Sequence, residues 1–176
     1  MSTLTCPETS SLAGEEPPPL VSVVTPVFNG AKYLRACIES VLAQTYDCWD
    51  YTIVDNCSTD SSLAIAHEYA AAHPRITVRS NEQFVGAIEN HNRAFRSISP
   101  DAKYCKVVCA DDWILPDCIS KLVDLAERHP SVGIIGSYWG NAMGVRWGGI
   151  PLDKEIVTGR EARDEANDKK LRVARF

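Results

Sequence analysis

The 176-residue chain has no long apolar run, no C-x-x-C pair, no G-x-G-x-x-G and no surplus of basic charge. Each absence removes a class of protein. The longest apolar runs are strand-sized, so no segment reads as a transmembrane helix. Seven cysteines, Cys6, Cys37, Cys48, Cys57, Cys105, Cys109 and Cys118, are odd in number and scattered. They indicate neither a zinc site nor a disulfide framework and read as reduced core thiols. Lys plus Arg is 18 against 23 for Asp plus Glu, a net charge of −5, which leaves no excess to neutralise nucleic-acid phosphates. Without the glycine fingerprint the backbone cannot approach a pyrophosphate as in a dinucleotide oxidoreductase. The amino terminus lacks the basic start and apolar core of a signal peptide, which predicts a cytoplasmic location.

What is present is ordinary for a globular chain, 45% hydrophobic and 23% charged, and long enough to bury a core. Residues 1–19 are rich in Ser, Glu and Pro without apolar periodicity, and read as a flexible leader. From Leu20 onward, strand-like runs alternate with helical spacing. Strands are expected at Val21–Thr25, Tyr51–Asp55, Ile76–Arg79, Tyr104–Cys109 and Val132–Ile135. Helices are expected from Tyr33 to Leu42, Thr59 to Ala72, Gly86 to Ile98, and from Pro116 to about His129. Such alternation predicts an α/β fold, a mostly parallel central sheet with helices on both faces, occupying residues 20–150. Ligands of such sheets sit beyond the carboxyl ends of the strands. Residues 151–176 form a charged tail that supplies little core.

The strand ends carry the chemistry. The first strand runs into Pro26-Val27-Phe28-Asn29-Gly30. Phe28 there either closes the core or stacks on a nucleotide base. The second ends in Asp55-Asn56-Cys57-Ser58-Thr59-Asp60, where a carboxylate and an amide either cap the next helix or hydrogen-bond a base and ribose. Asn81 and Gly86 lead into a helix whose Asn90, Asn92 and Arg93 either approach a sugar diphosphate or form a polar surface. The fourth strand presents Asp111-Asp112-Trp113. Adjacent carboxylates repel unless a cation or solvent relieves them, and a hard divalent ion shared with substrate phosphates does so.

In order and spacing, Pro26-Val27-Phe28-Asn29, Val54 to Asp60, the Asn81/Gly86/Asn92 segment and Ala110-Asp111-Asp112 followed by Pro116-Asp117 resemble a family 2 glycosyltransferase. The resemblance covers about residues 20–150. It implies the GT-A fold, a nucleotide-diphospho-sugar donor, transfer with inversion to an unknown glycan, lipid or protein acceptor, and a divalent cation, Mg²⁺ or Mn²⁺. It also implies that Pro26 and Phe28 line the base pocket, that Asp55 and Asn56 read base and ribose, and that Asp111 lies near the ribose or diphosphate. Asp112 takes the place of the metal ligand in the DXD-like motif. Asn56 departs from the more frequent second Asp, and an amide donates where a carboxylate only accepts. The family's carboxylate base lies later than these motifs, and no catalytic base is identified. The alternative is a truncated, catalytically inactive nucleotide-binding or interaction module, and apolar surface left uncovered leads to an expectation of self-association.

Overall fold

The structure is a computed structural model and describes residues 17–135, the strand residues 139–141 and 144–146, and Arg160. The chain divides into two compact units, Met1–Arg128 and His129–Phe176. In the first, β1 (Val21–Val27), α1 (Ala31–Leu42), β2 (Trp49–Asp55), α2 (Ser62–Ala72), β3 (Ile76–Ser80), α3 (Ala87–Phe95), β4 (Tyr104–Val107) and α4 (Cys118–Arg128) follow one another. Every strand pair of its sheet is parallel, in the order β3-β2-β1-β4. In the second unit, β5 (Trp139–Asn141) and β6 (Gly144–Arg146) pair antiparallel.

The apolar residues of β1 and β2 sort by the two-residue period of a strand. Val21, Val23, Val27, Trp49, Tyr51 and Ile53 share one core with Leu34, Cys37, Ile38 and Val41 of α1, Ile65 and Ala66 of α2, and Ile119 and Val123 of α4. Val24 and Val54 turn to the opposite face and meet Ala94 of α3. Helices therefore cover both faces, as the sequence pattern predicts, and β1 is buried along its whole length.

Three expectations need correction. Pro26 does not end β1: the strand runs on to Val27, paired with β2. The proline ends only the ladder to β4. Val108 N–H donates to the Val24 carbonyl at 3.1 Å. The next rung would run from the N–H of residue 26 to the Val108 carbonyl, and proline has none. Thr25 Oγ1 donates to that carbonyl instead, at 2.7 Å. Val132–Ile135, read as a strand, is not one. Ile134 is 91% exposed, and no strand pairs with this run among the described residues. Finally, of the cysteines read as reduced thiols, Cys37, Cys57, Cys105, Cys109 and Cys118 are free, whereas Cys48 is disulfide-bonded. The leader and tail readings fall mainly outside the described residues. No helix among the described residues is long and apolar enough to cross a membrane.

Candidate functional site at the strand ends

The carboxyl ends of β1 and β2 are sewn together by the loops that follow them. Asn29 adopts a positive φ of 50°, a conformation that asparagine tolerates better than most residues. Its Oδ1 accepts from Thr59 N–H at 2.8 Å, and its own N–H donates to Ser58 Oγ at 3.0 Å. Gly30 N–H donates to Ser62 Oγ at 2.9 Å, and Ala31 N–H to Asp60 Oδ2 at 3.0 Å. Burial opposes ionisation of Asp60, but hydrogen bonds from Ser62 and Ala31 outweigh it and hold the carboxyl below its usual range. A Cβ added at Gly30 would lie 3.0 Å from Val27 Cγ2 and 3.3 Å from the Ala110 methyl. The start of α1 thus sits directly beside the turn that follows β4. None of Asn29, Ser58 or Ser62 stood out in the sequence as a site residue, although the Asn-Gly pair signals a tight turn.

Asp55 is 1% exposed at the tip of β2. Its Oδ2 accepts from Ser58 N–H at 3.1 Å, while its Oδ1 is buried without a hydrogen-bond partner among the described residues. A buried carboxylate oxygen left unpaired is costly, so the position calls for a donor from outside the chain. Phe28, one residue beyond the β-register partner of Asp55, is 48% exposed and meets the 60% exposed ring of Phe84 at 4.8 Å between centroids, tilted by 57°. An aromatic pair this open to solvent beside an unsatisfied acceptor suits a flat, hydrogen-bonding ligand. Phe84 carried no signal in the sequence, because it lies in a loop without periodicity.

Asn56 is 2% exposed and its amide is fully engaged by the 81–85 loop. Nδ2 donates to the Val85 carbonyl at 2.8 Å, and Oδ1 accepts from Val85 N–H at 3.0 Å and from Asn81 Nδ2 at 2.9 Å. Asn81 gives its other amide hydrogen to Asn90 Oδ1 at 2.9 Å, which brings α3 into the same network. Only an amide satisfies both the N–H and the carbonyl of Val85 at once, which accounts for asparagine at position 56. Gly86 precedes α3 with nothing within 4 Å of where a Cβ would stand, so close packing does not require glycine there. Asn92 lies on the exposed side of α3, where its Nδ2 reaches Glu89 Oε2 at 3.4 Å. The structure therefore groups Pro26, Phe28, Asp55, Asn56 and Asn81 at one end of the sheet and leaves Asn92 on the helix surface.

Asp111 and Asp112 are both exposed on the turn after β4, where Asp112 N–H donates to the Cys109 carbonyl at 2.9 Å. Burial, then the charges of Asp112 and Asp111, raise the Cys109 thiol above its ordinary range, so this cysteine is kept protonated. No group of three or more His, Cys, Asp or Glu side chains gathers among the described residues. Two exposed carboxylates remain a fitting partial shell for a magnesium-like ion, which binds through one or two carboxylates and completes its coordination with water and substrate phosphates.

A parallel sheet with an unpaired acceptor, open aromatics and paired carboxylates at its carboxyl ends has the layout of an α/β domain that takes its ligand at that edge. The chain belongs to glycosyl transferase family 2, whose profile matches residues 22–171. TuaG of Bacillus subtilis strain 168, named for teichuronic acid biosynthesis, is 33% identical over 139 residues, 78% of this chain and 52% of TuaG. The chain thus spans about half the length of that relative. Among solved structures, Staphylococcus aureus TarS 1–349 in complex with UDP matches with a TM-score of 0.56 and 24% identity, over 62% of this chain and 32% of TarS. The mannosyltransferase PcManGT of Pyrobaculum calidifontis, in complex with GDP-Man and Mn²⁺, matches with a TM-score of 0.54 and 24% identity, over 60% of this chain and 31% of that one. These likenesses establish the fold as that of GT-A glycosyltransferases.

Proposed function

We propose that this chain is the donor-binding part of a glycosyltransferase that moves a sugar from a nucleotide-diphospho-sugar to an acceptor hydroxyl, with inversion and with help from a divalent cation. The observation that carries the reading is the orphaned Oδ1 of Asp55, buried at the tip of β2 beside Phe28. Asp55 Oδ1 accepts a hydrogen bond that the ring N–H of uracil, thymine or guanine supplies, whereas adenine and cytosine offer only an exocyclic amino group. The UDP and GDP-Man held by TarS and PcManGT carry bases with such a ring N–H. Phe28 and Phe84 supply the ring surface for stacking, Pro26 shapes the strand end beneath them, and Asn56 and Asn81 hold the 81–85 loop that presents Phe84. Gly86 and Asn92 take a secondary part, at the start and on the outer side of α3.

At the other end of the site, Asp111 lies toward the ribose and diphosphate, and Asp112 is the principal metal ligand of a DXD-like pair. A bound Mg²⁺ or Mn²⁺ would offset the charge that builds on the diphosphate as it leaves. The acceptor oxygen attacks the anomeric carbon from the face opposite the diphosphate. The bond from that carbon to the phosphate oxygen breaks, its electron pair leaves with the nucleoside diphosphate, and the hydroxyl proton passes to a general base. We further propose a cytoplasmic location, residues 20–150 as the donor domain between leader and tail, and self-association through exposed Ile88, Phe95, Trp113 and Leu115. A thermal-shift panel tests the base reading: UDP, TDP and GDP should raise the melting temperature more than ADP and CDP do. Equal shifts with all five would sink it.

A further inference from the structure

We infer that a second cleft, on the α3 side of the sheet, is a phosphate-binding site built by Arg79, Arg93 and Arg96. The cleft encloses about 480 Å³ between the end of β3 and α3, with Val54, Ser80, Asn81 and Ser97 completing its walls. Its lining includes neither Phe28, Asp55, Asp111 nor Asp112, so it adjoins the strand-end site and shares only Asn81 with it.

The charge balance in the cleft is unusual for a chain of net charge −5. Arg96 Nη1 lies 2.9 Å and Arg93 Nε 3.5 Å from the same oxygen of Glu89, so two guanidinium groups share one carboxylate. Arg79 pairs with no carboxylate among the described residues and is exposed on β3, an edge strand. Three guanidinium groups line the cleft and only Arg93 and Arg96 meet a carboxylate, which leaves about two positive charges and most of the donors unmatched. A ligand carboxylate offers two oxygens and is satisfied by a single fork. A phosphate offers three or more around one centre and suits forks that converge from a strand and a helix. The hydroxyl of Ser80 adds a neutral donor at the rim, while that of Ser97 is already given to the Ala94 carbonyl at 2.7 Å. Asn81 also joins this wall to the amide network of Asn56, so the occupied cleft would brace the loop that carries Phe84.

The test uses the full chain in EDTA, so that no metal at Asp111 and Asp112 can hold the probe. Inorganic pyrophosphate and vesicles of phosphatidic acid in phosphatidylcholine distinguish a free phosphate from a lipid headgroup. A melting-temperature rise with pyrophosphate, or cosedimentation with the vesicles, is expected for the wild type. The double variant Arg79→Gln/Arg96→Gln should bind about ten-fold more weakly or worse, from two lost charge-assisted contacts. Arg35→Gln, which removes an exposed arginine paired to Glu68 on another face, should bind as the wild type does. If the glutamine variant lacks the native circular dichroism spectrum, Arg79→Lys/Arg96→Lys decides, since it keeps charge and loses the fork: weaker binding supports the site and unchanged binding refutes it. Absence of wild-type binding to both probes, or equal binding by the glutamine variant, overturns the inference.

Discussion

Asn56 illustrates how a departure from a common motif is explained by its neighbours. With aspartate there, a carboxylate oxygen would face the Val85 carbonyl, which now accepts from the amide at 2.8 Å. Asn56→Asp is therefore expected to lower stability by about 2 kcal/mol, one lost hydrogen bond plus one unsatisfied buried group, read by denaturant unfolding. An unchanged midpoint would mean that the 81–85 loop does not depend on this amide. Asp50 offers a pH-dependent counterpart. Burial raises its carboxyl above the ordinary range, and the 2.7 Å hydrogen bond from Ser22 offsets this only in part. Because the folded state then holds the proton more tightly than the unfolded one, the group lowers stability as pH rises through its folded pKa. Asp50→Asn keeps the acceptor and removes the charge. Its melting temperature should exceed the wild type's at neutral pH, with the gap closing as pH falls below about 4, near the unperturbed value of 3.8. A gap that widens on acidification would reverse the sign of this argument. At this scale the sequence was only partly legible. Asp55, Phe28 and the Asp111-Asp112 pair lie in contiguous motifs at strand ends, whereas the roles of Asn29, Phe84 and Ser62 arise from contacts between loops distant in sequence.

Among the elements, the end of β1 shows how a strand can be central and yet release the chain on one side. Thr25 has a single hydroxyl hydrogen, which goes to the Val108 carbonyl, so the buried Tyr51 hydroxyl must be the donor to Thr25 Oγ1 across 2.8 Å. Thr25→Val keeps the shape and strands both partners, and should cost about 2–4 kcal/mol in denaturant unfolding. A loss under about 0.5 kcal/mol would show that the missing proline rung is not compensated through Thr25. Strands β1 and β2 and helix α1 were legible because burial on both strand faces and on one helix stripe imposes regular apolar spacing. Val132–Ile135 misled for the converse reason, since an apolar run becomes a strand only when another strand supplies the hydrogen bonds its backbone needs. Helix α2 begins at Ser62 rather than Thr59, and the N–H groups of Thr59 and Asp60 go to Asn29 Oδ1 in the loop before it.

For the whole molecule, the exposed Ile88, Trp113 and Leu115 are 81%, 65% and 61% accessible, apolar surface that a second copy could cover. Sedimentation velocity at rising concentration should show a growing weight-average mass, and a concentration-independent monomer would contradict self-association. The overall layout also separates two charge environments, paired carboxylates after β4 and shared arginines between β3 and α3. Family membership, the parallel sheet and the position of the carboxylates at its end support the proposal that a nucleoside diphosphate is held across the strand ends through a metal at Asp112. The most direct test is a calorimetric titration of UDP or GDP, whichever stabilises the chain more, in Mn²⁺ and in EDTA, with wild type and Asp112→Ala. Wild-type binding in Mn²⁺ is expected to weaken by about ten-fold or more in EDTA, with the same loss for Asp112→Ala in Mn²⁺. Equal affinity in all four titrations, or none in any, would contradict it.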